Sequence, residues 1–141
     1  MSEEDKLAQV RTFLHSHKHC VIASINHESK PQSAFVAFSS NDKLEIIVGT
    51  SNKSRKYKNI VNDPHVSVVV ADESGGVQYE GVAYEVDNAD VAGVMAQDFA
   101  QLPGSKKYRE DSTQTWFHIK PTWIRYVQHG ENDIIEEMTE F

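Results

Sequence analysis

The stretch Gly49-Thr50-Ser51-Asn52-Lys53-Ser54-Arg55-Lys56-Tyr57-Lys58-Asn59-Ile60, continued by Val61-Asn62-Asp63-Pro64 and Val66-Ser67-Val68-Val69-Val70, decides how the chain is read. Leu44, Ile46 and Val48 alternate with Glu45 and Ile47, which describes a strand running into Gly49. A hydroxyl-rich turn follows, then a short helix that Ser51 or Asn52 can cap, then a buried strand. Asp63-Pro64 ends the helix, because the residue before a proline is pushed out of the helical region.

Lys53, Arg55, Lys56 and Lys58 place four cations within six residues of a chain whose formal net charge is -7. The first turn of a helix carries unpaired N–H groups and the positive end of the helix dipole, so an anion there gains hydrogen bonds and field together. Thr50 and Ser54 add hydroxyls, Arg55 a planar fork and Lys56 a point charge, a set that suits a phosphomonoester. The same residues also fit the wet face of an amphipathic helix whose Tyr57, Ile60 and Val61 point inward. It is not a Walker loop, since the second glycine and the Lys-Ser or Lys-Thr pair are missing.

Outward from this stretch the bulk properties narrow the class. A length of 141 residues is enough for one domain with its own core, and 39% hydrophobic with 25% charged residues is the composition of a soluble globular protein. No apolar run approaches the roughly 18 residues that would span a bilayer. The acidic start, Met1-Ser2-Glu3-Glu4-Asp5, lacks the basic and apolar regions of a signal peptide, so a cytoplasmic location is expected. The acidic balance argues against nucleic-acid binding, which draws its affinity from many Lys and Arg residues. Cys20, the single cysteine, reads as a small buried hydrophobe on a strand.

Ser2 and Asp5 have the form of a capping box, and Leu7, Val10, Phe13 and Leu14 recur at helical spacing, which predicts a helix ending near residue 17. His15, His17 and His19 are spaced by two and do not share a helix face, so a solvated helix end accounts for them better than a metal site. Strands are expected over 20–25, 33–38 and 43–48, joined by short turns into an antiparallel meander. Further strands are expected over 66–71 and 77–86, and the apolar phase of the latter switches near Gly81, which predicts a bulge or sharp bend.

Asp87 and Asn88 are good caps for a second long helix, with Val91, Val94, Met95 and Phe99 as its buried stripe through about residue 101. Ser105-Lys106-Lys107-Tyr108-Arg109-Glu110-Asp111 is a polar connector with a second basic cluster, either plain loop or a lip over the ligand. Strands over 113–119 and 123–127 carry both tryptophans, with Pro121 expected to break the chain between them. The acidic tail, residues 129–141, is expected to be loosely held unless Ile134, Ile135 and Phe141 dock on a neighbour. The pattern predicts a mainly β fold: an antiparallel barrel of six to seven strands with peripheral helices, since closing the sheet removes its exposed edges.

The Thr50, Ser54-Arg55-Lys56 and Asn62-Asp63-Pro64 segments, with the valine-rich strand after them, resemble the flavin-phosphate segment of the pyridoxamine 5'-phosphate oxidase-like, FMN-binding split-barrel family, and its small general-stress-protein-like members in particular. The resemblance runs roughly over 7–127: a leading helix, Val21-Ile22-Ala23-Ser24, Pro31 entering the second strand, Val77-Gln78, and the Trp116-Phe117 and Pro121-Thr122-Trp123 stretches. It implies a split-barrel domain over 4–128 and a homodimer holding FMN at the subunit interface. Thr50, Ser54, Arg55 and Lys56 would surround the phosphate, Gln78 would contact the flavin, Ala34, Phe35 and Val36 would face the ring, and Trp116 or Trp123 could cover it from the partner chain.

Departures qualify the activity. Members that oxidise pyridoxamine phosphate carry basic residues on the second strand, yet no Arg or Lys stands between Lys30 and Lys43, and their carboxy-terminal substrate segment has no counterpart after Trp123-Ile124-Arg125. The expectation is an FMN-dependent oxidoreductase acting on a small molecule without efficient pyridoxamine phosphate oxidation. The alternatives are a non-enzymatic dimeric binding module of the same fold, and a deazaflavin- or haem-handling relative. The sequence assigns no catalytic residue and no metal ligand.

Overall fold

A computed structural model of the chain describes residues 2–108 and 110–141, so Met1 and the Arg109 of the second basic cluster lie outside the described residues. Helix α1 spans Glu3–His15, and its start is the capping box read from sequence: Ser2 Oγ accepts from the Asp5 N–H while the Asp5 carboxylate accepts from the Ser2 N–H. Its Val10, Phe13 and Leu14 are buried. Strands β1 (His19–Ile25) and β2 (Pro31–Ala37) form the first hairpin.

The expected meander ends there. The strand after β2 divides into a two-residue piece, β3 (Ser39–Ser40), and β4 (Ile46–Ser51), and β4 pairs with β7 (Gln114–Gln128) rather than with β2. Leu44, expected inside a strand, has φ +63° and turns the chain between the two pieces, its carbonyl accepting from the buried Tyr79 hydroxyl at 2.7 Å. The sheet order is β2-β1-β5-β6-β7-β4-β3, with β5 spanning His65–Asp72 and β6 Gly75–Glu85. Because β3 follows β2 after Phe38 alone, one run of chain joins the two ends of the sheet. Beyond β3, the free edge of β2 and the outer half of β4 run without pairing. The result is an antiparallel split barrel.

Its interior is one apolar cluster that includes Ile22, Ile46, Val48, Val68, Val77, Tyr79, Phe117, Ile119 and Ile124, all at most 2% exposed. A bulge does lie at Gly81, but on the partner strand: Glu80 pairs with Trp123 and Gly81 with Pro121, leaving Thr122 of β7 as the extra residue. β6 itself does not switch phase, since Val77, Tyr79 and Ala83 are buried and Tyr84 is 52% exposed. Pro121 therefore does not break β7. It sits at the bulge, where the ladder is already interrupted, and β7 continues as one strand of 15 residues. A Cβ on Gly81 would lie 2.6 Å from the Lys120 carbonyl, so this close approach requires glycine.

Helix α3 (Val91–Gln101) begins later than Asp87 and Asn88 suggest; its N-cap is Asp90, without a side-chain cap. It lies on the outer face of the sheet, where Val91, Val94, Met95 and Phe99 pack on Ile47 and Trp116 as a second, smaller core. The connector read as loop or lip is a 3-10 helix over Pro103–Tyr108. The tail is not loose: β8 (Ile134–Met138) pairs with the second half of β7 and buries Met138 to 3%. Ile135 and Phe141 stay half exposed, at 51% and 46%. No helix among the described residues is long and apolar enough to cross a membrane.

Candidate functional site

The turn from β4 into the helix α2 (Arg55–Asn62) is built by hydroxyls. Ser54, not Ser51 or Asn52, is the N-cap: its Oγ accepts from the Tyr57 N–H at 3.0 Å and lies 2.9 Å from Thr50 Oγ1. Ser51 instead accepts from the Lys53 N–H and donates to Thr113 Oγ1, tying the turn to the start of β7. Thr50 holds that same contact, since its carbonyl accepts from Thr115 Oγ1 at 2.6 Å.

α2 is fixed from below by Asn59, 4% exposed, whose Nδ2 donates to Ser24 Oγ at 3.1 Å and to Gln32 Oε1 at 2.9 Å. Ile60 is buried and Tyr57 packs on Phe117, while Val61, expected inward, is 62% exposed. The amphipathic reading of this helix is thus correct for two of its three apolar positions. Among the described residues none of Lys53, Arg55, Lys56 and Lys58 forms an ion pair, although the chain has 21 acidic residues. Lys56 is half-buried, and that burial holds its ammonium below the ordinary lysine range, with the nearby Cys20 thiol opposing the shift. A partly desolvated cation beside a helix N-terminus and two hydroxyls gains from an anion placed between them.

Thr50 and Ser51 also line a groove of about 370 Å³ between β2 and β4. One wall is β2, through Phe35, Val36 and Ala37; the floor is Gly49, Thr50, Ser51, Gln114 and Trp116. The other wall is α3 and the connector, through Asp98, Leu102, Ser105, Tyr108 and Asp111. Gly49 lies against the Gln114 amide and the Trp116 ring, which occupy the space a side chain would take.

The ring-facing residues expected from the sequence separate by strand parity. Phe35 is 74% exposed on the outer face, with His19 stacked on it at 5.1 Å, whereas Ala34 and Val36 lean on the core. Trp116 is 4% exposed in the groove floor. Trp123 lies elsewhere on the outer face, across from Glu80, and Gln78 lies between Val69 and Arg125, so neither lines this groove. Register places Phe35, Val21, Val69 and Gln78 in one row across the outer face, the two valines 41% and 42% exposed.

Asp98 was missed by the sequence reading. It is 2% exposed, with Oδ1 accepting from Ser39 Oγ at 3.1 Å and Oδ2 from Ser105 Oγ at 2.7 Å. Burial pushes its pKa up, against the two hydroxyl bonds. The signal was present: Asp98 stands seven residues after Val91, on the apolar stripe of its helix, where a carboxylate has no reason to be unless something holds it. His15 faces Asp42 at 3.6 Å and His17 faces Asp72 at 2.8 Å, so with His19 on Phe35 the three histidines diverge.

A split antiparallel barrel, with the hydroxyl-capped start of α2 joined through Thr50 to a groove beside it, defines the class. The family model for pyridoxamine 5'-phosphate oxidase matches residues 7–128, and the chain belongs to that family. No curated protein matches it. Among solved structures it is similar to a heme binding protein from Mycobacterium smegmatis, with 18% identity, TM-score 0.82 and coverage of 94% of this chain but 57% of that one. General Stress Protein 26 from Bacillus anthracis aligns with 22% identity and TM-score 0.71, covering 86% and 92%. HutZ, the heme storage protein from Vibrio cholerae, aligns with 17% identity and TM-score 0.71, covering 91% and 92%. At these identities the likeness is one of fold.

Proposed function

We propose that this chain is an FMN-binding flavoprotein, an FMN-dependent oxidoreductase that works as a homodimer and does not oxidise pyridoxamine phosphate efficiently. The observation that carries the reading is the unpaired cation set of α2 beside the Thr50 and Ser54 hydroxyls, opening onto a groove floored by Trp116. Arg55, Lys56, Ser54 and the first N–H groups of α2 would hold the phosphate, and bound FMN would supply reversible electron transfer. The residues around it orient the ring, exclude water and set its polarity; none of them is needed as a base.

The second copy is assigned to the outer face bearing Phe35, Val21 and Val69, because Phe35 belongs both to this exposed row and to the groove wall. A copy docked there would cover the apolar row and close the groove, giving Gln78 and Trp123, which lie on the same face, a route to the ligand. The absence of Lys and Arg from 31–42 supports the expectation against pyridoxamine phosphate.

The test is a visible spectrum after reconstitution with FMN and gel filtration, with a parallel arm using hemin. Retained flavin bands at a dimer elution volume, lost in Arg55→Ala and Lys56→Ala, support the reading. Unchanged FMN retention in both variants would overturn the phosphate assignment. A Soret band with no flavin uptake would turn the assignment to haem.

A further inference from the structure

The groove has two chemically opposite ends. At the Ser51 end β4 runs through Lys53 into α2, which carries Arg55, Lys56 and Lys58. At the other end Ser39 pairs with Ile47 and holds Asp98, so the buried carboxyl stands near the Ile47 level of β4. Four strand residues separate these levels, roughly 13 Å at the rise of a β-strand. Between them lie Trp116, Leu102 and Phe35, which are apolar and two of them flat. No described residue lining the groove is a Lys, Arg or His.

Asp98 is held by two hydroxyls, which fill two of about four acceptor positions on a carboxylate. Both hydroxyls come from other segments, Ser39 on β3 and Ser105 on the 3-10 helix, so the carboxyl is fixed in orientation rather than free to turn to solvent. Gln101 reinforces the frame: its Oε1 accepts from the Ser40 N–H at 3.0 Å and its Nε2 donates to the Ser40 carbonyl at 2.7 Å, pairing α3 with β3 as a strand would. A buried carboxyl gains most from a donor or a positive charge brought to its remaining acceptor positions, and repels an anion.

We infer that the α3 end of the groove is the substrate subsite, and that it takes a flat apolar molecule carrying a neutral or cationic hydrogen-bond donor while excluding phosphorylated and other anionic ones. Asp98 is the residue that decides this. The inference rests on the FMN reading only in calling the occupant a substrate; the binding preference belongs to the groove itself.

The experiment uses three probes of one shape: benzylamine, benzyl alcohol and benzyl phosphate, titrated into the full-length apo protein and into the FMN-treated protein, with amide and indole NMR signals as readout. Benzylamine and benzyl alcohol should shift the Leu102, Ser105 and Trp116 signals, and benzyl phosphate only those of Ser54 to Lys56. At the groove, benzylamine should bind at least about tenfold more tightly than benzyl phosphate. Asp98→Asn should abolish that preference while keeping benzyl alcohol binding, and Ser105→Ala, which frees the carboxyl to turn, should weaken it. Benzyl phosphate binding in the groove as well as benzylamine does, an unchanged preference in Asp98→Asn, or no response of Leu102 and Trp116 to any probe would overturn the inference. FMN uptake, read by absorption on the same samples, can fail independently of all three.

Discussion

The hydroxyls of Thr50 and Ser54 stand 2.9 Å apart across the turn from β4 to α2, so the last inward residue of the strand and the cap of the helix share one hydrogen bond. The position of the helix start is thereby set by the strand. Ser54→Ala removes the cap and should cost about 1 kcal/mol, read by thermal denaturation. It should also weaken FMN retention, whereas Thr50→Ser, which keeps the hydroxyl, should leave retention near that of the parent. Loss of stability with unaltered FMN binding would separate the cap from the anion site.

Lys56 gives the anion site a pH dependence. Its pKa is lowered by burial in the free protein, and a bound anion raises it again. As pH rises through the lowered value the free protein loses this charge, so affinity for inorganic phosphate or FMN should fall on the alkaline side, earlier than an ordinary lysine at about 10.4 would allow. Lys56→Arg keeps its charge throughout and should flatten the profile. A parent profile that is already flat up to that pH would exclude a role for Lys56.

Cys20 should be inert in the folded protein. Burial pushes its thiol from 9.0 up to about 12, with Lys56 pulling weakly the other way. The unfolded chain releases the proton first, so the thiol leaves stability unaffected below pH 9 and lowers it as pH rises from 9 toward 12. Native protein at neutral pH should resist a thiol reagent that labels the denatured chain at once. Cys20→Ala should decline less steeply than the parent across the alkaline range, and an equally steep decline would argue against the burial.

Asn59 ties α2 to both strands of the first hairpin through Ser24 and Gln32. Asn59→Ala leaves Ser24, 3% exposed, short of a partner and should destabilise by about 2 kcal/mol. Because the phosphate residues ride on this helix, the same variant should lose FMN affinity with every charge still in place. Retained affinity would mean that α2 is held by Ile60 and Tyr57 alone.

Much of this architecture was legible in the sequence where the signals are local. The Ser2 and Asp5 capping box and the strand aimed at Gly49 depend on neighbours within a few residues. What could not be read was partner choice. β4 follows β2 in the chain but pairs with β7, some 65 residues away, because Phe38 carries the chain across the barrel; alternation describes a strand, never its neighbour. The tail misled in the same way, since Ile134 and Met138 are too few to predict a strand until the free edge of β7 is seen beside them. At the site, Thr50 and Ser54 meet as their spacing suggests, while Asp98 reaches the groove that Thr50 lines only through α3 folding back over it.

The extra residue Thr122 gives β7 a property that its continuous ladder conceals. Before it, Phe117 and Ile119 point into the barrel on odd numbers; after it, Ile124 and Tyr126 point in on even ones. The strand changes its reading frame in mid-course, with Thr122 Oγ1 donating to the Glu80 carbonyl at the crossing point. Deleting this one exposed threonine would remove almost no buried surface. It would restore one-to-one pairing of β6 with β7 and leave Ile124 and Tyr126 facing the core, so what the deletion takes away is the bulge itself and the bend it puts beside Gly81. A residue whose own side chain contributes almost nothing to the core thus lets an odd-numbered and an even-numbered half of one strand face the same interior.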